Sequence, residues 1–353
     1  FERRRGDIVT ADGVVIATSV ETPDGPTKRV RTYPDSVLYA HVTGSYSFYG
    51  ASGGLEQAEN AYLSGSSDKL FYRRVSDLFT GRRPQGATLE TTLDPAVQRA
   101  PAKAMTGIRG AAVALDPKTG AILAMVSQPT FDPNDLAGHD LSALDDNYKK
   151  LNTDPQRPLV NRSINGDLYP PGSIFKVITA AAALSSGEYT EDSMLPGPAV
   201  LELPGTTASL PNMFPGACGA NDQVSFTRAM AISCNTAFAA VGMDIGADAL
   251  RAQAEKFGFG DSLSVPMRVT PSTIPAELNM PQLAQSSIGQ FDVRVTPLQM
   301  AMVAAGVAND GAVMKPYLVQ SVIGSDLSVI ETTDPQELSQ AVTPDVAAQL
   351  TRM

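Results

Sequence analysis

Tyr169-Pro170-Pro171-Gly172-Ser173-Ile174-Phe175-Lys176 runs on into Val177-Ile178-Thr179-Ala180-Ala181-Ala182-Ala183-Leu184 and stops at Ser185-Ser186-Gly187. Proline is tolerated at a helix start and glycine favours its end, so the spacing predicts a helix from about Ser173 to Ser186. The segment is apolar nearly all round, which predicts burial. Ser173 and Lys176 stand three apart in the first turn, on one face. A hydroxyl is a weak nucleophile until a base takes its proton, and lysine is a base only when neutral. Burial and the positive end of the helix dipole both depress a lysine pKa. The plain alternative is a capping serine followed by a surface lysine, because S-x-x-K is short and common.

Moving outward toward the C-terminus, residues 196–219 are rich in proline and glycine. Short helices are expected over Ser225–Ile232, Thr236–Ile245 and Ala247–Phe257, the last ended by Gly258. Ser233-Cys234-Asn235 falls at the first junction between them. It offers a relay hydroxyl and an amide that both donates and accepts. S-x-N alone carries little; its weight comes from lying about 60 residues after Ser173. Thr296-Pro297 caps a long apolar helix that ends at Asn309-Asp310-Gly311. Tyr317–Ile323 reads as a strand, and Thr343-Pro344-Asp345 starts a helix running to the chain end.

Toward the N-terminus, Gly110–Leu115 and Ala121–Val126 read as buried strands joined by Asp116-Pro117-Lys118-Thr119-Gly120. Residues 131–165 are polar and read as loop. Ile8–Thr10 and Val14–Ile16 flank Asp12-Gly13, a strong hairpin signal. Residues 29–50 look extended, and Leu55–Leu63 and Leu70–Phe79 read as amphipathic helices, the second closed by Gly81. Gly81–Gly86 reads as a linker, Thr88–Leu93 as a strand, and Asp94-Pro95 as a helix start. Strands, then clustered helices, then a strand give an α+β fold, a sheet covered by helices.

The 353 residues suffice for two domains or one large one. The net charge is −10 with no basic run, which argues against nucleic acid or an anionic membrane surface as partner. No apolar run is long enough to span a membrane. The chain opens on Phe1 without an initiator methionine, as expected of a piece of something longer. Cys218 and Cys234 are the only cysteines, and His41 and His139 stand far apart. No metal site and no cofactor are expected from them.

Several blocks in order resemble the class B penicillin-binding proteins, most closely the actinobacterial penicillin-binding protein A type. Arg5-Gly6-Asp7-Ile8 with Ala11-Asp12-Gly13 looks like the N-terminal box of that family. Ala114–Val126 looks like its first transpeptidase hairpin. Phe131-Asp132-Pro133-Asn134, Asn161-Arg162, Tyr169–Lys176, Ser233–Asn235, Ser287-Ile288-Gly289-Gln290 and Thr296-Pro297-Leu298-Gln299 follow in the family order. The resemblance covers almost the whole chain. It implies a β-lactamase/transpeptidase-like α+β domain over 107–353 behind a smaller β-rich pedestal, or dimerisation-like domain, over 1–106.

It further implies a serine-type D-Ala-D-Ala transpeptidase that cross-links peptidoglycan stem peptides and is trapped by β-lactams. Ser173 would be acylated, Lys176 its base, Ser233 the proton relay to the leaving amine, and Asn235 the holder of Lys176 and substrate. The Ser173 N–H would form half of the oxyanion hole. Other readings of the same fold are a catalytically impaired division scaffold and a serine β-lactamase or sensor. The implied location is the extracytoplasmic membrane face, with an N-terminal anchor outside this chain and cell-wall synthesis proteins as partners. There Cys218 and Cys234 are expected to form a disulfide, two free thiols being the alternative.

Two motifs are decoys. Lys118-Thr119-Gly120 has the letters of the family's third motif but precedes the nucleophile and sits in a turn. The true motif is expected beyond Met353, with a strand that would supply an oxyanion N–H and a cation for the substrate carboxylate. Gly50-Ala51-Ser52-Gly53-Gly54 fits a nucleophile elbow but reads as a flexible glycine loop.

Overall fold

The computed structural model describes residues 4–22, 29–70 and 85–353. β1 (Ile8–Val9) turns through Asp12-Gly13 into β2 (Val15–Glu21), which pairs with β3 (Arg29–Thr32). The extended reading of residues 29–50 holds at β3 and again from Ser45, but fails between them. Residues Ser36–Thr43 form helix α1, which buries Tyr39, Ala40 and Val42. Tertiary burial overrides the β-leaning valine and tyrosine content there.

A short hairpin follows, β4 (Ser45–Ser47) with β5 (Gly50–Ser52). The helix expected over Leu55–Leu63 is two pieces, α2 (Gly54–Ala58) and α3 (Asn60–Leu63), separated by the non-helical backbone of Glu59. Gly50–Gly54 is a built strand-to-helix turn rather than a flexible loop. Gly53 and Gly54 take φ of 65° and 53°, and a Cβ on Gly54 would lie 2.3 Å from the Gly44 nitrogen. The helix expected from Leu70 and the start of the linker at Gly81 fall on residues 71–84, outside the described residues.

β6 (Thr88–Thr91) leads to α4 (Pro95–Ala104), whose first turn is capped by the Asp94 carboxylate. β7 (Gly110–Leu115) and β8 (Ile122–Gln128) form the expected antiparallel hairpin. Lys118-Thr119-Gly120 lies in its turn, where Asp116 Oδ1 accepts from the Lys118 N–H at 2.8 Å. The stretch 131–165 is not all loop. It holds α5 (Leu141–Thr153), 13 residues capped by Asp140, with Leu141, Leu144, Tyr148 and Leu151 at helical spacing.

One 3-10 turn, Gly172–Phe175, precedes α6 (Lys176–Ser186), and Gly187 ends it at φ 78°. The proline-rich stretch contains β9 (Met194–Pro196), β10 (Val200–Glu202) and β11 (Ser209–Pro211). β12 (Gln223–Ser225) returns to pair with β9. α7 (Phe226–Ala231) and α8 (Asn235–Lys256) then carry the Ser233 junction between them. α8 breaks at Gly246, φ 85° and ψ 162°, where two separate helices were expected.

The rest is α9 (Met280–Ser286), α10 (Pro297–Ala308), β13 (Ala312–Met314), β14 (Val319–Ile323), β15 (Val329–Thr332), β16 (Glu337–Gln340) and α11 (Pro344–Arg352). Thr296 and Thr343 cap α10 and α11 through their side chains. Among the described residues the largest sheet runs β15-β14-β6-β1-β2-β3, with only β1 and β6 parallel. β14 and β15 therefore complete a sheet whose other strands lie before residue 92. Among the described residues the main buried apolar cluster runs from Ile8 to Leu350, with two small satellites around Phe131 and Leu203. Within the main cluster α6 packs beside α8, and this pairing brings the two sequence motifs together.

Candidate active site

Pro170-Pro171-Gly172 delivers the chain into a 3-10 turn, in which side chains three apart eclipse one another. Ser173 is thereby stacked over Lys176, the serine an exposed residue and the lysine 1% exposed. Gly172 takes φ 58° and donates its N–H to Gly289 O at 2.9 Å. A Cβ on Gly289 would lie 2.1 Å from Gly172 O, so the Ser287–Gln290 block presses bare backbone against the turn before Ser173.

Ser233 reaches the same point from the α7–α8 junction. Its φ of 56° is unusual for a residue with a side chain. That backbone turns both its carbonyl and its hydroxyl toward Lys176. Lys176 Nζ donates to Ser233 O at 2.8 Å, Ser233 Oγ at 2.9 Å and Asn235 Oδ1 at 2.8 Å. Ser173 Oγ lies at 3.4 Å. All four predicted site residues therefore converge on one amine.

The partners of Lys176 are neutral, and the Phe238 ring centroid lies 5.5 Å from Nζ. Burial lowers its pKa from 10.5 to about 8. An ammonium satisfies three acceptors with its three N–H bonds. Loss of one proton frees a lone pair, and the neighbour that can donate a proton to it from the open side is the Ser173 hydroxyl. The site can thus generate a serine alkoxide near neutral pH and return the proton through Ser233.

Cys218 and Cys234 are joined, with S–S 1.93 Å and Cα–Cα 6.0 Å. The bridge ties the proline-rich loop to the residue before Asn235. Asn212, in that loop, was not singled out from the sequence although it contacts the site motif directly. Its Oδ1 accepts from the N–H of Asn235 at 3.0 Å and of Thr236 at 3.2 Å. An asparagine that follows Pro211 in a proline-rich loop carries no local signal of this role. Gly289 was visible only as part of a block.

Residues 110–353 match the penicillin binding protein transpeptidase domain, more than half of the chain. The chain belongs to this family. Residues 5–89 match the penicillin binding protein A dimerisation domain. The chain is 49% identical to the peptidoglycan D,D-transpeptidase PbpA of Mycolicibacterium smegmatis, over 99% of this chain and 72% of that protein. To PbpA of Mycobacterium tuberculosis it is 45% identical, over 100% and 72%. The solved penicillin-binding protein A of M. tuberculosis superposes with a TM-score of 0.95 as its penicillin G acyl-enzyme, covering 99% of this chain and 81% of that one. Its ceftriaxone acyl-enzyme gives the same score over 99% and 79%. The family's transpeptidase fold is therefore the fold of this chain, mixed helices and sheets with a small N-terminal domain.

Proposed function

We propose that this protein is a peptidoglycan D,D-transpeptidase acting through a serine acyl-enzyme. The observation that carries the reading is the single buried amine shared by Ser173, Ser233 and Asn235. Neutral Lys176 takes the Ser173 proton as Oγ attacks the carbonyl carbon of the penultimate D-alanine in a stem peptide. The amide C–N bond breaks. Ser233 passes a proton to the departing D-alanine nitrogen and is resupplied by Lys176. An amine of a neighbouring stem peptide then attacks the ester, and its proton returns to Ser173 Oγ. Asn235 holds the lysine with Oδ1 while its Nδ2 is anchored on Pro211 O. A β-lactam follows the first half and stays as the ester.

The same proposal divides the chain into a pedestal, 1–106, and a catalytic part, 107–353, stitched together by the shared sheet. It places the protein on the extracytoplasmic face of the membrane, with an anchor N-terminal to Phe1 and cell-wall synthesis proteins as partners. The Cys218–Cys234 bridge supports an oxidising compartment.

The test is labelling with a tagged penicillin followed by peptide mapping. Label is expected on the peptide carrying Ser173 and absent from Ser173→Ala. Lys176→Arg, always protonated, should acylate at least about 100-fold more slowly. Label on another peptide would refute the assignment. Rapid release of hydrolysed penicillin would favour a β-lactamase, and no label on the folded protein a non-catalytic scaffold.

A further inference from the structure

We propose that Asn212 is a positioning residue for Lys176, holding the first turn of α8 where Ser233 and Asn235 can meet the lysine amine. This rests on Lys176 being the base. The first N–H groups of any helix lack intrahelical partners. They are normally met by an oxygen on the N-cap side chain. Here the N-cap is Cys234, whose disulfide sulfur is a weak acceptor, for Ala237 N–H at 3.4 Å. Asn212 supplies the missing oxygen from 23 residues upstream, to Asn235 N–H at 3.0 Å, and also to Thr236 N–H at 3.2 Å.

The amide orientation is fixed, because only the carbonyl oxygen can face those donors. Its NH₂ donates in turn to Pro198 O at 3.0 Å and Gly216 O at 3.2 Å, so Asn212 is 9% exposed and fully partnered. The adjacent residue finishes the work. Pro211 O accepts from Asn235 Nδ2 at 3.2 Å, which turns Asn235 Oδ1 toward Lys176 Nζ at 2.8 Å. The Pro211-Asn212 corner therefore sets both the backbone and the amide orientation of Asn235.

A carboxylate would cap a helix better than an amide, through the helix dipole. Aspartate at 212 would lose both donors, face two carbonyls and place an anion one hydrogen bond behind Asn235. Burial lowers the Lys176 pKa, and an anion placed that close would oppose the shift. The position thus calls for an acceptor without charge.

The experiment times fluorescent-penicillin labelling of the full chain from about pH 6 to 10. The rate constant reports the site, and the final amplitude reports the folded fraction. Asn212→Ala should lower the rate constant by about 10- to 100-fold, as a misplaced group does. Combined with Asn235→Ala, it should add little beyond Asn235→Ala alone. Asn212→Asp should move the apparent pKa of labelling upward by about one unit. A wild-type rate constant and pH profile with reduced amplitude would overturn the proposal and leave Asn212 a stability residue. If Asn212→Ala gives too little folded protein to time, an unchanged profile in the isosteric Asn212→Asp overturns it equally. Lys176→Arg serves as the control: a wild-type rate there would overturn the base assignment itself, while a dead Lys176→Arg with normal Asn212 variants would refute only the role of Asn212.

Discussion

Two buried cationic clusters hold this molecule's most exacting electrostatics, and they are built in opposite ways. In the N-terminal part, Glu56 is fully buried between two arginines. Arg5 Nε meets Glu56 Oε2 at 2.5 Å and Arg31 Nε meets Oε1 at 2.5 Å. Arg5 also donates to Asn60 Oδ1 and Glu56 O, and Arg31 to Gly6 O. Tyr33 adds a hydroxyl to Oε1 at 3.3 Å, and burial together with Glu56 raises its pKa well above the ordinary tyrosine value. In the catalytic part Lys176 is as deeply buried, but its partners are two hydroxyls, an amide and a carbonyl.

The difference separates structure from chemistry. Arginine stays protonated in proteins and needs a counter-charge when desolvated. With Glu56 between them, two arginines from β3 and the start of the chain are pinned to α2, and the register of the small domain follows. Lysine in neutral company has no counter-charge, so desolvation works on its protonation state instead. One cluster spends its buried charge on geometry and the other releases a proton.

The comparison can be broken first at Glu56. Glu56→Gln leaves two buried guanidinium groups without an anion. It should destabilise the protein by about 3–5 kcal/mol in urea unfolding. The acylation rate constant of the molecules that remain folded should not change. A loss below about 1 kcal/mol would mean that water or the backbone already compensates the arginines.

The next effect lies beside Lys176. Replacing Cys218 and Cys234 together by serine should remove about 3 kcal/mol, the value for a loop of about 15 residues. Thermal unfolding with and without reductant reads it. Equal melting temperatures would show that Asn212 alone fastens the loop.

The smallest change converts one cluster into the other. Asn235→Asp gives Lys176 a carboxylate partner and should raise its pKa by about 1–3 units. Acylation at pH 7 should fall by about 10-fold or more and recover toward alkaline pH. A rate that stays low at every pH would mean that Asn235 acts mainly on the substrate.

The two clusters also differ in how far the sequence reveals them. Ser173 and Lys176 lie three apart between Pro-Pro-Gly and Gly187, so the helix, its burial and the pairing can be read locally. The Ser233 junction, the α10 cap at Thr296-Pro297 and the β7–β8 hairpin are local too. Arg5 is legible only as part of the Arg5-Gly6-Asp7-Ile8 box, and nothing nearby in sequence announces that it meets Arg31 and Glu56. Helix α1 was hidden because its valines and tyrosine fit a strand equally well. Helix α5 was readable, from Asp140 and the Leu141, Leu144, Tyr148, Leu151 spacing, but its polar content masked it. Asn212 depends on a contact 23 residues away, which no local pattern encodes.

The central claim is that burial among neutral partners makes Lys176 a base at working pH. The most direct measurement is the acylation rate constant of the unaltered protein as a function of pH. The account predicts a tenfold rise per pH unit on the acid side and a plateau above about 8, where Lys176 titrates. A rate independent of pH from 6 to 9, or one still rising toward the ordinary lysine value of about 10.4, would contradict it.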